Sequence, residues 1–283
     1  MRRPVEVAKD LAQIGTIVNL TGALEGIASL RISQIKNQVL QSEEFFKELW
    51  KIYTQIRVDA TFHFGRRMSK EKVINKDLFI VITAEGGFSG DIDQKLIDWM
   101  LDGYDKEHHD IIVIGHHGAV QLAHKGVSIA KYYKLPSKDK NINVTPVVND
   151  IQKYKTTTVY YQSYVSIMVQ DVKRMSLMTA VQEFGRDVKR SDEIITESNY
   201  IFEPSTYAVI DHLERSMLSI MVGQVILESK LAQYASRFRA MSAANEKAKD
   251  SFSDLKLLYN RTRRASNDER LKEIINGMRK VHV

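Results

Sequence analysis

What most constrains this chain is an absence: from Pro204 to the C-terminus there is no further proline, and only Gly223 and Gly277 punctuate the run with glycine. Proline stops a helix by removing an amide donor and clashing with the preceding turn, so nothing here forbids one uninterrupted helix. Steps of four and three from Leu213 visit Met217, Ile220, Gln224, Leu227, Leu231, Tyr234, Phe238, Met241, Asn245, Ala248, Phe252, Leu255, Tyr259 and Thr262, and only Gln224, Asn245 and Thr262 are polar. Apolar residues recurring every 3.5 positions mark a helix that supercoils about a partner. Pro204, Ser205 and Thr206 supply its start. A helix from 205 to 280 is about 110 Å long at 1.5 Å per residue. No compact domain has a core that deep.

The other end of the chain supplies the partner. Ile32, Ile35, Val39, Ser42, Phe46, Leu49, Tyr53 and Ile56 keep the same three-four alternation, and Ile14, Ile17, Thr21, Leu24 and Ala28 extend it upstream with no proline after Pro4. Gly15, Gly22 and Gly26 each cost about 1 kcal/mol of helix propensity relative to alanine. That stretch has to be held by what it touches. Two heptad helices at opposite ends of one chain pair antiparallel, so the spacing predicts a coil of residues 1–60 with 205–283, the longer C-terminal helix projecting beyond it.

Between the helices, over residues 61–204, the period changes. Asp77–Thr83 is a short β-branched run that ends in a glycine cluster. An amphipathic stretch through Ile92, Leu96, Ile97, Met100 and Leu101 follows, then a second run at Asp110–Gly115. Strand, helix, strand is the pattern of a parallel βαβ unit. Further helices are predicted at Ala119–Lys125 and around Val147–Tyr154, strands at Thr157–Val165 and Ser166–Thr179, and a loop at Gly185–Asn199. The fold class is therefore α/β with long helices: an antiparallel coiled coil of the terminal helices with an inserted Rossmann-like α/β domain.

With no cysteine among 283 residues, disulfides, thiol nucleophiles and cysteine-held metals are excluded. The opening residues lack the apolar core of a signal peptide, and no run approaches the ~20 apolar residues of a membrane span, which predicts a soluble protein. Thr83-Ala-Glu-Gly-Gly-Phe-Ser-Gly90 lies where a dinucleotide-binding domain would cradle phosphate. It lacks both the Gly-x-Gly-x-x-Gly spacing and the Gly-Lys-Ser/Thr ending of a P-loop, so Gly86, Gly87 and Gly90, with Glu85, read as a strand-to-helix turn. The pairs His108-His109 and His116-His117 make poor chelates because neighbouring side chains diverge. No Gly-x-Ser-x-Gly elbow surrounds Ser89. Neither a cofactor nor a metal is expected.

The net charge is +6, and its excess sits almost wholly at one end: residues 205–283 carry fourteen Lys and Arg against nine Asp and Glu, whereas 1–60 carry eight against seven and 61–204 nineteen of each. The run Lys256, Arg261, Arg263, Arg264 and Arg270 reads either as a solvated helix face or as a surface for an acidic partner. It has no interleaved exposed aromatics of the kind that nucleic-acid binding uses.

The C-terminal residues resemble the gamma subunit of F-type ATP synthases. That family ends with a pattern near Arg-Met-x-Ala-Met-x-x-Ala-Thr, then Leu-x-x-x-Tyr-Asn-x-x-Arg-Gln-Ala, then Glu-Ile-x-x-Gly. Here the chain reads Arg237-Phe238-Arg239-Ala240-Met241-Ser242-Ala243-Ala244-Asn245, then Leu255, Tyr259-Asn260-Arg261-Thr262-Arg263-Arg264-Ala265, then Glu273-Ile274-Ile275-Asn276-Gly277. Thr83–Gly90 follows the family's Thr-Ser-Asp-Arg-Gly-Leu-x-Gly, and Thr21–Ala28 its Thr-Lys-Ala-Met-x-Met-Val-Ala. Gly22 stands for a lysine, Gly26 for a methionine, Gly86 for a basic residue, Gln233 for a glutamate, Lys247 for an asparagine and Arg270 for a glutamate.

The resemblance implies a non-catalytic central rotary shaft standing inside a hexamer of alternating alpha and beta subunits. Its globular domain would reach an epsilon-like subunit and a membrane rotor ring. It implies a cytoplasmic location, peripheral on the inner face of the cell membrane, with membrane contact only through partners and no role for nucleic acid. The implied stator contacts are Arg2, Arg3, Lys9, Arg237, Met241, Tyr259, Asn260, Arg261, Arg263, Arg264 and Arg270, with Leu227, Leu231, Tyr234 and Phe238 in the coil seam. Two alternatives stay open. One is the shaft of a specialised rotary ATPase not used for ATP synthesis; the other is a nucleotide-dependent enzyme whose helices form a dimerisation stalk.

Overall fold

The computed structural model describes residues 3–56, 74–137, 142–186, 195 and 200–281. Two helices dominate it: α1, Pro4–Gln55, and α6, Thr206–Val281. Between them lie β1 (Ile74–Ile82), α2 (Ile92–Asp102), β2 (His109–Ile114), α3 (His116–His124), β3 (Lys131–Tyr133), α4 (Thr145–Ile151), β4 (Tyr154–Tyr164), β5 (Gln170–Ser176) and α5 (Leu177–Arg186). The chain divides into two compact units, one of Met1–Ala28 with Phe238–Val283 and one of Ser29–Arg237.

In the first unit the terminal helices pair antiparallel. Gly15 stands against the Phe252 ring and Gly22 against the Asn245 amide, so seven residues up one helix match seven down the other. Asn245 Nδ2 donates to the Val18 carbonyl at 3.2 Å, and a Cβ on Gly22 would lie 3.0 Å from that same nitrogen. The small residue at 22 is thus what admits a polar residue to the seam. Met241, Asn245, Ala248 and Thr262 are buried at the expected positions. The N-terminal stripe is corrected by one residue: Ile17 is 44% exposed, and the half-buried Val18 takes its place between Ile14 and Thr21. Beyond Thr262 every residue through Met278 is exposed except the half-buried Ala265 and Ser266.

In the second unit a five-stranded sheet has the order β3-β2-β1-β4-β5, parallel except for the antiparallel edge pair β4 and β5. Its central strands are apolar on both faces because both are covered. Phe79, Val81, Ile111, Val113 and Tyr160 face Leu96, Ile97 and Met100 of α2 and Leu122 of α3. Leu78, Ile80, Ile82, Ile112, Ile114 and Val159 face Met217, Met221, Val222, Val225 and Ile226 of α6, with Phe46 of α1. Between Val225 and Ser236 only Glu228 and Tyr234 are more than marginally exposed, as suits a helix enclosed on all sides. At the start of α6 the Ser205 hydroxyl accepts the Ala208 amide at 3.2 Å, an N-cap one residue after Pro204.

Four elements depart from expectation. Helix α4 ends at Ile151, and Tyr154, expected within it, opens β4. The edge strand β3 is only three residues and has no pattern of its own. Strand β5 runs only from Gln170 to Ser176, short of the expected Ser166–Thr179 at both ends. The following residues form α5, whose Leu177 and Val181, one helical turn apart, are fully buried. The expected loop 185–199 therefore begins as the last residues of α5, and positions 187–194 and 196–199 lie outside the described residues.

Candidate functional site

Where β1 ends, the chain must turn sharply into α2. Thr83 is fully buried; its hydroxyl accepts the Gly118 amide at 2.9 Å and donates to the Gly115 carbonyl at 3.2 Å. Gly115 comes so close that a Cβ there would lie 2.1 Å from the Thr83 carbonyl oxygen, at a φ of +112°. Only glycine fits. Glu85 accepts the Leu135 amide at 2.5 Å, and its charge, after burial, helps hold the Tyr132 phenol above its usual pKa. Gly86, Gly87 and Gly90 are exposed, so the sequence-predicted turn is brought together as one feature.

One amide donor of this turn is already committed within the chain. The Ala84 amide is taken by the chain's own Asp93, whose Oδ2 accepts it at 3.2 Å at the start of α2, where a phosphate would otherwise sit. The Gly86 and Gly87 carbonyls point at Arg237, which donates to them at 3.3 and 3.2 Å while lying over the Tyr234 ring at 5.1 Å. Ser236 donates to the Ser89 carbonyl at 2.7 Å.

Asp93 is the centre of the arrangement, and no sequence pattern singles it out. It is 2% exposed. Oδ2 also receives His117 Nδ1 at 3.1 Å, and Oδ1 receives Gln162 Nε2 of β4 at 2.5 Å. Burial pushes its pKa up against the lowering effect of the Ala84, His117 and Gln162 bonds. The other histidine pair does less: His108 bonds the exposed Asp105 carboxylate and His109 Nδ1 accepts the Asp105 amide at 3.0 Å, while His116, beside His117, is exposed. Among the described residues no group of three His, Asp or Glu is placed to hold a metal ion.

From Gln162 the polar contacts pass into α6. Ser229 donates to Gln162 Oε1, Gln233 Nε2 reaches Ser229 Oγ at 3.0 Å, and Glu228 accepts from Ser163 at 2.8 Å. Lys230, 3% exposed, donates to the Pro136 carbonyl at 2.8 Å. With Gln233 Nε2 also 3.4 Å from Gln162 Oε1, six residues of α6 between 228 and 237 bind the globular domain by polar contacts. The one hint of this in the sequence is Gln233, standing where the resembled family has glutamate.

The residues singled out as stator contacts separate into two groups. Arg237 is committed to the glycine turn and Met241 to the coil seam. Arg3, Lys9, Arg261, Arg263, Arg264 and Arg270 are exposed, Arg263 lying 5.9 Å from the Tyr259 ring, and Tyr259 and Asn260 are half-buried. Arg2 lies outside the described residues. In the seam Leu227 and Leu231 are buried, while Tyr234 and Phe238 are half-buried.

Comparison with known proteins agrees with this geometry. Residues 5–281 match the family model described as ATP synthase. The ATP synthase gamma chain of Chlorobium phaeobacteroides is 25% identical over 292 residues, 96% of each chain, and that of Mycoplasmoides gallisepticum 22% identical, with 97% and 98% covered. Among solved structures, a chain of the Euglena gracilis mitochondrial ATP synthase (OSCP/F1/c-ring, rotational state 3) superposes with a TM-score of 0.63 at 13% identity, covering 99% of this chain and 94% of that one. A chain of the Tetrahymena thermophila mitochondrial ATP synthase central stalk and c-ring gives 0.55 at 15% identity, covering 80% and 99%. Fold, seam and near full-length match together place this chain in the ATP synthase gamma family.

Proposed function

We propose that this chain is the central shaft of a rotary ATPase, turning within a hexamer of alternating alpha and beta subunits and carrying rotation to a rotor ring through its globular domain. The observation that carries this reading is α6 itself. It is 76 residues long; in one unit residues 217–226 pack on the sheet, and in the other residues 241–262 pair with α1 while 267–278 are exposed. That tip exposes Leu271, Ile274, Ile275 and Met278, a stripe at helical spacing suited to turning in an apolar collar. A stiff, asymmetric rod can offer a different face to each of three surrounding catalytic subunits, and differential contact is what couples their nucleotide affinities.

The chain acts without an active site of its own. At the glycine turn after β1 the Ala84 amide is taken by Asp93 and the Gly86 and Gly87 carbonyls by Arg237, and α6 with α1 covers one sheet face while α2 and α3 cover the other. No helix among the described residues is long and apolar enough to cross a membrane. On the shaft reading the chain sits peripherally on the inner face of the cell membrane, reached through an epsilon-like subunit and the rotor ring. The exposed bases Arg261, Arg263, Arg264 and Arg270, with Arg3 and Lys9, are the stator-facing set.

Co-expression with the alpha and beta subunits of the same cell tests this. A hexamer that co-purifies with the chain and turns a bead attached to it during ATP hydrolysis is the expected result; hydrolysis with a stationary bead sinks the reading. A shaft specialised away from ATP synthesis is favoured by Gln233 and Arg270, which stand where the resembled family has glutamates. Absence of synthesis by the complete complex under an imposed ion gradient, with hydrolysis intact, is its signature.

A further inference from the structure

Four buried polar side chains join the globular domain to α6, and their donors and acceptors permit one direction only while Asp93 is ionised. A carboxylate accepts and cannot donate, so Gln162 must offer it Nε2, at 2.5 Å. That leaves Gln162 Oε1 facing α6, where Ser229 donates to it. A hydroxyl has one proton, now used, so Ser229 Oγ can only accept; Gln233 Nε2 supplies that bond at 3.0 Å and also reaches Gln162 Oε1 directly at 3.4 Å. Asp93, Gln162, Ser229 and Gln233 are all at most 4% exposed, so water does not stand in for a missing partner.

We propose that Asp93 is a positioning residue for rotation: through Gln162, Ser229 and Gln233 it fixes the rotational setting of the shaft helix on the globular domain, so that torque passes without slip. This rests on the shaft reading above. Around these four residues α6 meets the domain through the apolar Met217, Met221, Val225 and Ile226 and through two single bonds on long side chains, Ser163 to Glu228 and Lys230 to the Pro136 carbonyl, contacts that tolerate a small rotation of the helix. A buried directional chain of bonds does not, because a turn of the helix leaves each member unpaired. Asp93 also holds the Ala84 amide, and the same glycine turn receives Ser236 and Arg237 of α6, so the setting is fixed at two heights along the helix.

The chain of bonds explains why position 233 is an amide here. A carboxylate at 233 would face an oxygen whose proton is already used, with Asp93 at the far end, two acceptors and too few donors. Moving the charge instead of adding one cures this. In an Asp93→Asn, Gln233→Glu double variant the new amide oxygen at position 93 keeps the Ala84 and His117 contacts, and its nitrogen donates to Gln162. Gln162 turns over to donate to Ser229, and Ser229 donates to the new carboxylate at position 233. Every link is reversed and every link is made.

The test uses the full chain assembled with its alpha and beta subunits. Because the chain has no native cysteine, Lys106→Cys, an exposed position between α2 and β2, takes a bead on the globular domain. The bead's angular fluctuations in the stalled complex read torsional stiffness, and unloaded hydrolysis reads assembly. Gln233→Glu should soften the linkage by about threefold or more with hydrolysis within about twofold, and the double variant should recover most of the loss, a sign-reversing cycle that packing defects do not give. Unchanged stiffness in Gln233→Glu, or a double variant no stiffer than the single, overturns the proposal. Should Gln233→Glu fail to fold, Ser229→Ala removes the middle link without adding charge, and its stiffness must fall while Asp93→Asn fails to restore it. If the parent's bead does not rotate, the shaft reading falls instead. Thermal unfolding of the full chain then decides the relay: rescue of Gln233→Glu by Asp93→Asn upholds it, and additive losses overturn it.

Discussion

At the scale of single residues, two buried aspartates of the globular domain meet opposite fates. Burial raises the pKa of Asp93, whose three partners do not fully offset it. Burial also works against Asp150, yet Lys131 at 2.6 Å, Tyr133 at 2.5 Å and Lys153 at 2.9 Å outweigh it and bring its pKa to about 2. A carboxyl whose folded pKa lies below its unfolded value stabilises the fold above the unfolded value, here near 3.8, and loses that contribution as pH falls toward about 2. Asp150→Asn should therefore lower unfolding free energy by ~1–2 kcal/mol at pH 7. Against the parent, that deficit should shrink steadily between pH 4 and pH 2 in urea titrations. A deficit that stays constant through that window means the loss is one of packing and not of charge.

At the scale of elements, legibility follows from period. The seam of α6 is readable because fifteen successive three-four positions include only three polar ones, and Met217, Leu227, Leu231, Met241, Asn245 and Thr262 are all buried as that pattern requires. The error at Ile17 has a plain cause: Ile17 and Val18 are adjacent β-branched aliphatics, and hydropathy does not say which of them a supercoil turns inward. Strand β5 and helix α5 blur because Met175, Leu177, Met178 and Val181 satisfy a period of two and a period near four over the same few positions. The polar relay is not legible, since Asp93, Gln162 and Ser229 are far apart in the chain and none sits in a recognisable motif. Only the departure at Gln233 marks the place. Because Leu231 lies in the seam and within the enclosed part of α6, Leu231→Pro should cost ~3 kcal/mol or more and abolish assembly with the hexamer. Circular dichroism melting and co-purification read the two effects, and a variant that still assembles would show that the helix bends there without loss.

At the scale of the whole molecule the globular domain has the layout of a nucleotide-binding domain with part of its turn taken by the chain's own side chains. The parallel order β3-β2-β1-β4 and the glycine turn after β1 are features of dinucleotide domains, but the Ala84 amide at the turn is already bonded to Asp93 and the exposed glycine carbonyls to Arg237. Calorimetry of the purified chain with ATP and with NAD should give no heat of binding. Micromolar affinity for either would return the enzyme reading to contention. The surface available to partners then lies along the helices, where the excess of basic residues is carried.

Arg261, Arg263, Arg264 and Arg270 decide what kind of contact that surface makes. All four are exposed, and none is needed for the seam, whose buried member in this stretch is Thr262. If they are solvated, replacing them by glutamine changes little, since exposed charges typically contribute under about 1 kcal/mol. If they face acidic loops of the surrounding subunits, the quadruple glutamine variant keeps its helicity and assembles but couples hydrolysis to rotation poorly. The second outcome is expected, because a local excess of like charge is repulsive unless a partner neutralises it. Salt separates the two further: screening over a Debye length of about 8 Å at physiological ionic strength weakens the parent's coupling as salt rises, and has less to act on in the variant. Coupling should therefore fall steeply with salt in the parent and only shallowly in the quadruple variant. Equal torque, turnover and salt response in both would assign coupling to steric fit of the rod alone, with Tyr259 and the apolar stripe at Leu271, Ile274, Ile275 and Met278 as its bearing surface.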